Sequence, residues 1–266
     1  MAPKNRHRLL EGLTCVYRII SVKSRVGKTS LGVLLTRELN RLGVKPVIIL
    51  QTSSSILEDL GDAARYRYAG ATNIVVSNPE ELIIVSEPME SLEEIIENIP
   101  YYTPLVIAEG FKGSDIGRAI AVIEEPGEVD LIAGEPGLWY IVSNDLEAVE
   151  KALQMGFNAL LIDEAEKLAR EIYLDAVSQI SSAITVEPSI CGMASKHEIA
   201  EKLLKGIITP SQCIKTRGIR LFVNDKLVVL DDKLANALIG VIEGFLKNVL
   251  PASTRLKNIR VELKQE

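Results

Sequence analysis

The ten residues Ser21–Ser30 read Ser-Val-Lys-Ser-Arg-Val-Gly-Lys-Thr-Ser, and no other stretch limits the fold as strongly. An apolar run precedes them (Cys15, Val16, Tyr17, Ile19, Ile20), and a helical pattern follows (Leu31, Val33, Leu34, Leu35, Leu39, Leu42). A buried strand that ends on Gly-Lys-Thr and turns at once into a helix is the context in which such a loop seats phosphate. The first amides of the helix have no acceptor inside it, and the helix dipole reinforces them. Lys28 is placed to reach terminal phosphates and the Thr29 hydroxyl to ligate Mg²⁺. Lys23, Ser24, Arg25, Val26, Gly27 and Ser30 complete the expected nucleotide-binding loop. Val22 stands where the usual pattern has Gly, and Ser24 and Arg25 also occupy positions often held by Gly, so each adds a Cβ beside the phosphate seat.

Further apolar runs follow in order. Strands are expected at Thr14–Ile20, Lys45–Leu50, Asn73–Ser77, Glu81–Ser86, Pro104–Ala108, Ala119–Ile123, Val129–Ala133 and Leu138–Val142. Helices are expected at Lys28–Gly43, Leu92–Ile99 and Asn144–Met155, with a short one within Ile56–Tyr68. Val47-Ile48-Ile49-Leu50 is continuously apolar, as in a parallel strand covered on both faces. Strands alternating with helices argue an α/β domain on a mostly parallel sheet flanked by helices, assigned to residues 1–156. The polar loop Gln51–Ser55 and the carboxylate of Glu109 both emerge at carboxyl ends of strands, where ligands bind in such sheets.

Residues 157–215 read as a helical linker, with one long pattern over Asp163–Ile184 and another over Lys196–Leu204. Residues 216–266 read as a small β-β-α-β module. A hairpin is expected around Asn224-Asp225-Lys226, then a helix from Asp231 or Asp232, then alternation at Ile259, Val261 and Leu263.

The chain has 266 residues, 47% apolar and 25% charged, which is the balance of a folded globular protein. A net charge of −6 gives no reason to expect nucleic-acid binding. No run approaches the roughly 18–20 apolar residues of a membrane helix, and three scattered cysteines do not make a secreted disulfide scaffold. A cytoplasmic protein is expected.

Four stretches together are similar to a known family. They are Gly27-Lys28-Thr29; Asp62-Ala63-Ala64-Arg65-Tyr66-Arg67-Tyr68-Ala69-Gly70-Ala71; Leu105-Val106-Ile107-Ala108-Glu109-Gly110-Phe111-Lys112; and Leu131–Glu135 followed by Asn144-Asp145-Leu146-Glu147-Ala148. In order and spacing, residues ~14–155 resemble the molybdopterin-guanine dinucleotide biosynthesis protein B family. The resemblance implies a P-loop NTPase-like fold that binds GTP (or ATP) with Mg²⁺ and has weak GTPase activity. It implies a homodimer that serves a molybdopterin guanylyltransferase-type enzyme acting on molybdopterin. Carried over by position, Thr29 and Glu109 would hold the metal, and Asp62 and Glu109 would orient metal or water. Arg65, Arg67 and Lys112 would meet phosphate or pterin. Glu135 stands near the place of the family's late Asp and would face the guanine edge.

Cys191-Gly192, Ile199-Ala200, Gly206 and Cys213 look like the frame of a small four-cysteine iron–sulfur domain. Only two of its thiolates remain, and a cubane cluster takes four, so no cluster is expected. A Cys191–Cys213 disulfide requires Cα atoms within about 7 Å. Two alternatives stand beside the GTPase reading. One is a non-catalytic scaffold derived from the same family. The other is a partition-type ATPase, because Val22-Lys23-Ser24-Arg25-Val26-Gly27-Lys28-Thr29 is similar to that group's loop, in which the first Lys reaches a partner's nucleotide.

Overall fold

The computed structural model describes residues 13–52, 62–71, 74–77, 80, 82–85, 89, 91–99, 102–184, 188–210, 221–223, 226–228, 237–238, 240–242 and 244–245. Compactness divides the chain into Met1–Cys213 and Ile214–Glu266.

The first unit is built on six strands: β1 (Cys15–Ser21), β2 (Val47–Leu50), β5 (Leu105–Glu109), β6 (Arg118–Ile123), β7 (Leu138–Ser143) and β8 (Asn158–Leu161). They lie in the order β2-β5-β1-β6-β7-β8, every neighbouring pair parallel. Helices α1 (Lys28–Arg41), α5 (Leu146–Gln154) and α6 (Ala165–Ala183) pack against it. Helix α1 buries Leu31, Leu35 and Leu39, one stripe at a spacing of four. Gly43, at φ 82°, stops it: the Gly43 amide donates to Asn40 O (3.0 Å) and the Val44 amide to Leu39 O (2.9 Å). Helix α5 starts on Asp145, whose side chain accepts from the Glu147 amide at 3.0 Å.

Two expected features differ. Val129–Ala133 is not a strand; it lies largely in helix α4 (Glu128–Ile132). Pro126-Gly127 starts the turn, and the buried apolar positions are Val129 and Ile132, three apart, while Leu131 is exposed. The second is β8, a sixth strand just past residue 156. Its four residues run straight into the next helix with no Gly or Pro between them, so no punctuation separates the two periods. The stretch expected as a linker accordingly lies within the first unit: helix α6 covers β1, and Tyr17 Oη donates to Asp175 Oδ2 at 2.8 Å.

Strands β3 (Ile74–Ser77) and β4 (Leu82–Val85) pair antiparallel in a separate hairpin. Helices α2 (Asp62–Tyr68), α3 (Leu92–Glu97) and α7 (Lys196–Leu204) complete the unit. In the second unit β9 (Leu221–Val223) and β10 (Lys226–Val228) form the expected hairpin. The expected last strand at 259–263 lies outside the described residues.

One connection shapes the sheet's functional end. Residues 110–117 carry the chain from β5 to β6 and must pass over β1, which lies between them. The connection itself contains no helix. Gly117, at φ 70°, presses on the strand so closely that a Cβ there would lie 2.2 Å from Val16 O. Beneath the crossover lies Arg18, fully buried in the middle of β1. Its Nε donates to Ile116 O (2.9 Å), Nη1 to Phe111 O (3.1 Å) and Nη2 to Pro136 O (2.5 Å). Nη1 also meets Glu135 Oε1 at 2.6 Å, and the Gly113 amide donates to the same oxygen at 2.8 Å.

Replacing Arg18 with Ala strands a carboxylate whose side chain is 4% exposed and three carbonyls. Breaking a buried pair from one side costs about 3–5 kcal/mol. Urea unfolding of Arg18→Ala should show the unfolding free energy falling by that amount, read as a lower midpoint with the slope unchanged.

Candidate functional site

Strand β1 delivers the chain to Ser21 at the carboxyl edge of the sheet, and the loop to Gly27 turns it into α1. Arg25 (φ 65°) and Gly27 (φ 95°) both take the left-handed conformation. Gly27 does so at no steric cost; for Arg25 the cost is about 1–2 kcal/mol. Gly27 caps α1 without a side chain, and its carbonyl accepts from the Leu31 amide at 3.0 Å. The amides of Lys28, Thr29 and Ser30 therefore lead the helix with no acceptor inside it, the arrangement that binds an anion. Val22 is half-buried and packs against the core cluster of Ile20, Ala121 and Ile141.

The polar groups converge at this edge. Lys28 Nζ lies back over the loop and donates to Ser21 Oγ at 3.0 Å, and Ser21 Oγ donates to Lys23 O at 2.5 Å. Thr29 Oγ1 lies 2.8 and 2.9 Å from the two carboxylate oxygens of Glu109. Register explains the meeting: Glu109 pairs with Ile19, so its side chain leaves β5 beside the end of β1. Gln51 closes the other side, its Oε1 accepting from the Phe111 amide at 2.7 Å. Gly110 (φ 103°) permits this approach, since a Cβ there would lie 2.7 Å from Gln51 Oε1. Ser21, Lys28, Gln51 and Gly110 line an open cleft of about 250 Å³, to which Lys23, Lys28 and Lys112 bring positive charge.

Lys23 is anchored within its own chain. Its Nζ lies 3.2 Å from Glu125 Oε1 and 2.9 Å from Glu128 Oε1. Glu128 is buried at the start of α4, and its Oε2 accepts from the Glu124 amide at 2.8 Å. Burial pushes the Glu128 carboxyl up, but Lys23 and the Glu124 and Glu125 amides outweigh it and hold it below its usual 4.5. The partner carboxylates, Glu128 first, hold Lys23 above its ordinary range.

The structure thus brings Lys23, Ser24, Lys28, Thr29, Glu109 and Lys112 to one end of the sheet. Val26 is buried under the loop and Ser30 is exposed on the first turn of α1. Asp62 is the first residue of α2, where Arg65 is exposed and Arg67 Nη1 donates to Ala71 O at 3.1 Å. Glu135 does not join the cleft; it is held by Arg18 under the crossover. Cys191 is disulfide-bonded, so its sulfur is not a free thiolate, and Cys213 lies outside the described residues. Sequence reasoning placed Ser21 and Gln51 in candidate loops without giving either a role, and missed Arg18 and the Lys23 anchors Glu125 and Glu128. Arg18 had a visible signal, a lone cation inside Val16-Tyr17-Arg18-Ile19-Ile20; the others had none.

Residues 17–144 match the family model described as molybdopterin guanine dinucleotide synthesis protein B. The fold is similar to that of MobB from Bacillus subtilis, at 17% identity and a TM-score of 0.50, over 61% of this chain and 97% of that one. A molybdopterin-guanine biosynthesis protein B is 22% identical over 59% of this chain and 97% of its own, with a TM-score of 0.48. A MobB homolog from Bacillus stearothermophilus is 12% identical over 61% and 98%, with a TM-score of 0.46. No curated protein matches the chain significantly in sequence. The resemblance carried by the four motifs thus meets an independent match over a region that holds the loop and most of the sheet, though not β8.

The Glu128 anchor has a definite pH signature. Its folded pKa lies below the unfolded 4.5, so its stabilisation is complete above about pH 4.5 and is lost as pH falls through the folded value. Glu128→Gln removes that contribution. Thermal melts between about pH 3 and pH 7 should show a shallower acid decline for the variant than for wild type.

Proposed function

From the family match over residues 17–144, we propose that the first unit binds GTP with Mg²⁺. In this reading it acts as an accessory protein of molybdopterin guanine dinucleotide biosynthesis with slow GTPase activity. One observation carries the proposal: Thr29 Oγ1 and both Glu109 oxygens lie within 2.9 Å of one another beside the leading amides of α1 and the Lys28 ammonium. Hydroxyl and carboxylate oxygens suit a hard divalent cation, and a cation next to an anion seat is what a nucleoside triphosphate needs.

Bound nucleotide and Mg²⁺ supply the phosphoryl group and neutralise its developing charge. The chain's own part is positioning. The α1 amides hold the phosphate oxygens, and Lys28 moves from Ser21 to the terminal phosphates. Glu109, with Asp62, orients metal and water. Lys112, Arg65 and Arg67 receive the phosphate or pterin of molybdopterin brought by a guanylyltransferase-type partner. The Val22 packing supports the binding reading over the non-catalytic scaffold, because the core takes up part of that side chain. The Lys23 anchors on Glu125 and Glu128 weigh against a partition-type ATPase, whose lysine must be free to cross an interface.

We also propose a homodimer. Strands β3 and β4 expose Val75 and Ile84 at 62% and 58%, and their neighbours Val76 and Ile83 at 36% and 38%. Successive strand residues face opposite ways, so both faces of the hairpin are apolar, and a two-stranded hairpin is marginal alone in water.

Two experiments test these readings. Titration with fluorescent GTP should show Mg²⁺-dependent binding that Lys28→Ala abolishes and Thr29→Ala makes insensitive to Mg²⁺. Absence of binding at millimolar nucleotide favours the scaffold instead. Sedimentation equilibrium should show a dimer that the double variant Val75→Lys, Ile84→Lys converts to monomer.

A further inference from the structure

The geometry points to Asp163 as the residue that reads the base of the bound nucleotide, selecting guanine over adenine. This rests on the nucleotide-binding reading above and names its specificity.

The phosphate seat has a direction. Thr29 and Glu109 mark the metal and terminal-phosphate end, on the β5 side of β1. The α-phosphate and nucleoside must then extend the other way, across the carboxyl ends of β6, β7 and β8. Strand β6 lies one spacing of about 4.8 Å from β1 and β8 lies three. The nearer ends underlie the α-phosphate and ribose, and the base reaches the farther ones.

Most of the polar groups there are engaged within the chain. Glu125 and Glu128 hold Lys23. Ser143 Oγ donates to Ile123 O and accepts from the Asp145 amide, while Asp145 caps α5. Glu164 accepts from the Leu161 amide and pairs with Lys167. Among the described residues, the exposed groups there without such a partner are Glu124, Asn144 and Asp163. Glu124 follows β6, over the stretch that phosphate and ribose occupy. Asp163 follows Ile162, whose Cδ1 lies 4.0 Å from where a Gly27 Cβ would be, so the end of β8 abuts the start of α1. Ser143 pairs with Leu161, so Asn144 and Asp163 leave the sheet on adjacent strands. Ile162 and exposed Leu146 supply apolar surface for the face of a purine.

The chemistry then selects the base. A carboxylate only accepts hydrogen bonds, and guanine alone among the common bases offers N1–H and N2–H side by side. Adenine turns an acceptor, N1, to the same place. Asn144 can donate its amide N–H to guanine O6. Glu135 cannot serve as base reader, because Arg18 and the Gly113 amide already occupy its carboxylate under the crossover.

The test is competition binding on the full chain, with fluorescent GTP displaced by GTP, ATP or XTP. Wild type should favour GTP over ATP by about tenfold or more, the discrimination expected of a bidentate pair. Asp163→Asn should lose about tenfold in GTP affinity and gain for XTP, whose 2-oxo group accepts from the new amide. Its melting temperature should be unchanged, because Asp163 is exposed and unpartnered. If Lys28-dependent binding is intact but Asp163→Asn keeps the wild-type order among the three nucleotides, this assignment is overturned and the nucleotide reading survives. If wild type binds none of them, both fall together.

Discussion

A short connection crosses β1 where a helix would ordinarily lie, and the buried guanidinium of Arg18 makes that crossing possible. Parallel strands usually need a dozen or more residues, including a helix, to return to the start of the sheet. Here residues 110–117 make the return, and the carbonyls of Phe111 and Ile116 turn onto Arg18. Arg18 supplies the donors, bonding Phe111, Ile116 and Pro136, and Glu135 balances its charge. The charge costs energy to bury, and only a fully bonded arrangement of this kind offsets it. Because the crossover begins at Gly110, its fixed path also sets where Glu109 stands relative to Thr29 and where Lys112 meets the cleft.

The loop beside the cleft is held on one side by charge pairs and on the other by a single hydrogen bond. Lys23 is drawn toward Glu125 and Glu128 on the β6 side, while Lys28 lies back on Ser21. The loop thus opens between two lysines, one anchored and one with only a serine hydroxyl to release. Val22 and Arg25 show how such a loop forms with side chains where glycines are usual: one packs against the core, the other bears the left-handed backbone.

The elements were largely readable because their patterns are unambiguous. Leu31, Leu35 and Leu39 recur at a helical spacing, Gly43 ends that helix, and Val47–Leu50 has no polar interruption. Where reading failed, the period was too short to distinguish. Val129 and Ile132 fit a strand until Leu131 is known to face solvent, and the four residues of β8 merge with the helix behind them. The site divided in the same way. Gly27-Lys28-Thr29 and Glu109 were legible as local motifs, whereas Glu135, placed by resemblance, lies beneath the crossover.

The sequence by itself determined the loop, its strand and helix, and the alternation that commits the stretch up to residue 156 to a wound sheet. These follow from local periodicity and from the few conformations open to Gly and its neighbours. Only the tertiary structure decided which carboxylates are spent and which are free. Glu128 and Glu135 are consumed by lysine and arginine more than a hundred residues away in the chain, while Asp163 is left unpaired. Ion pairing depends on the order in which strands lie side by side, and no local pattern records that order.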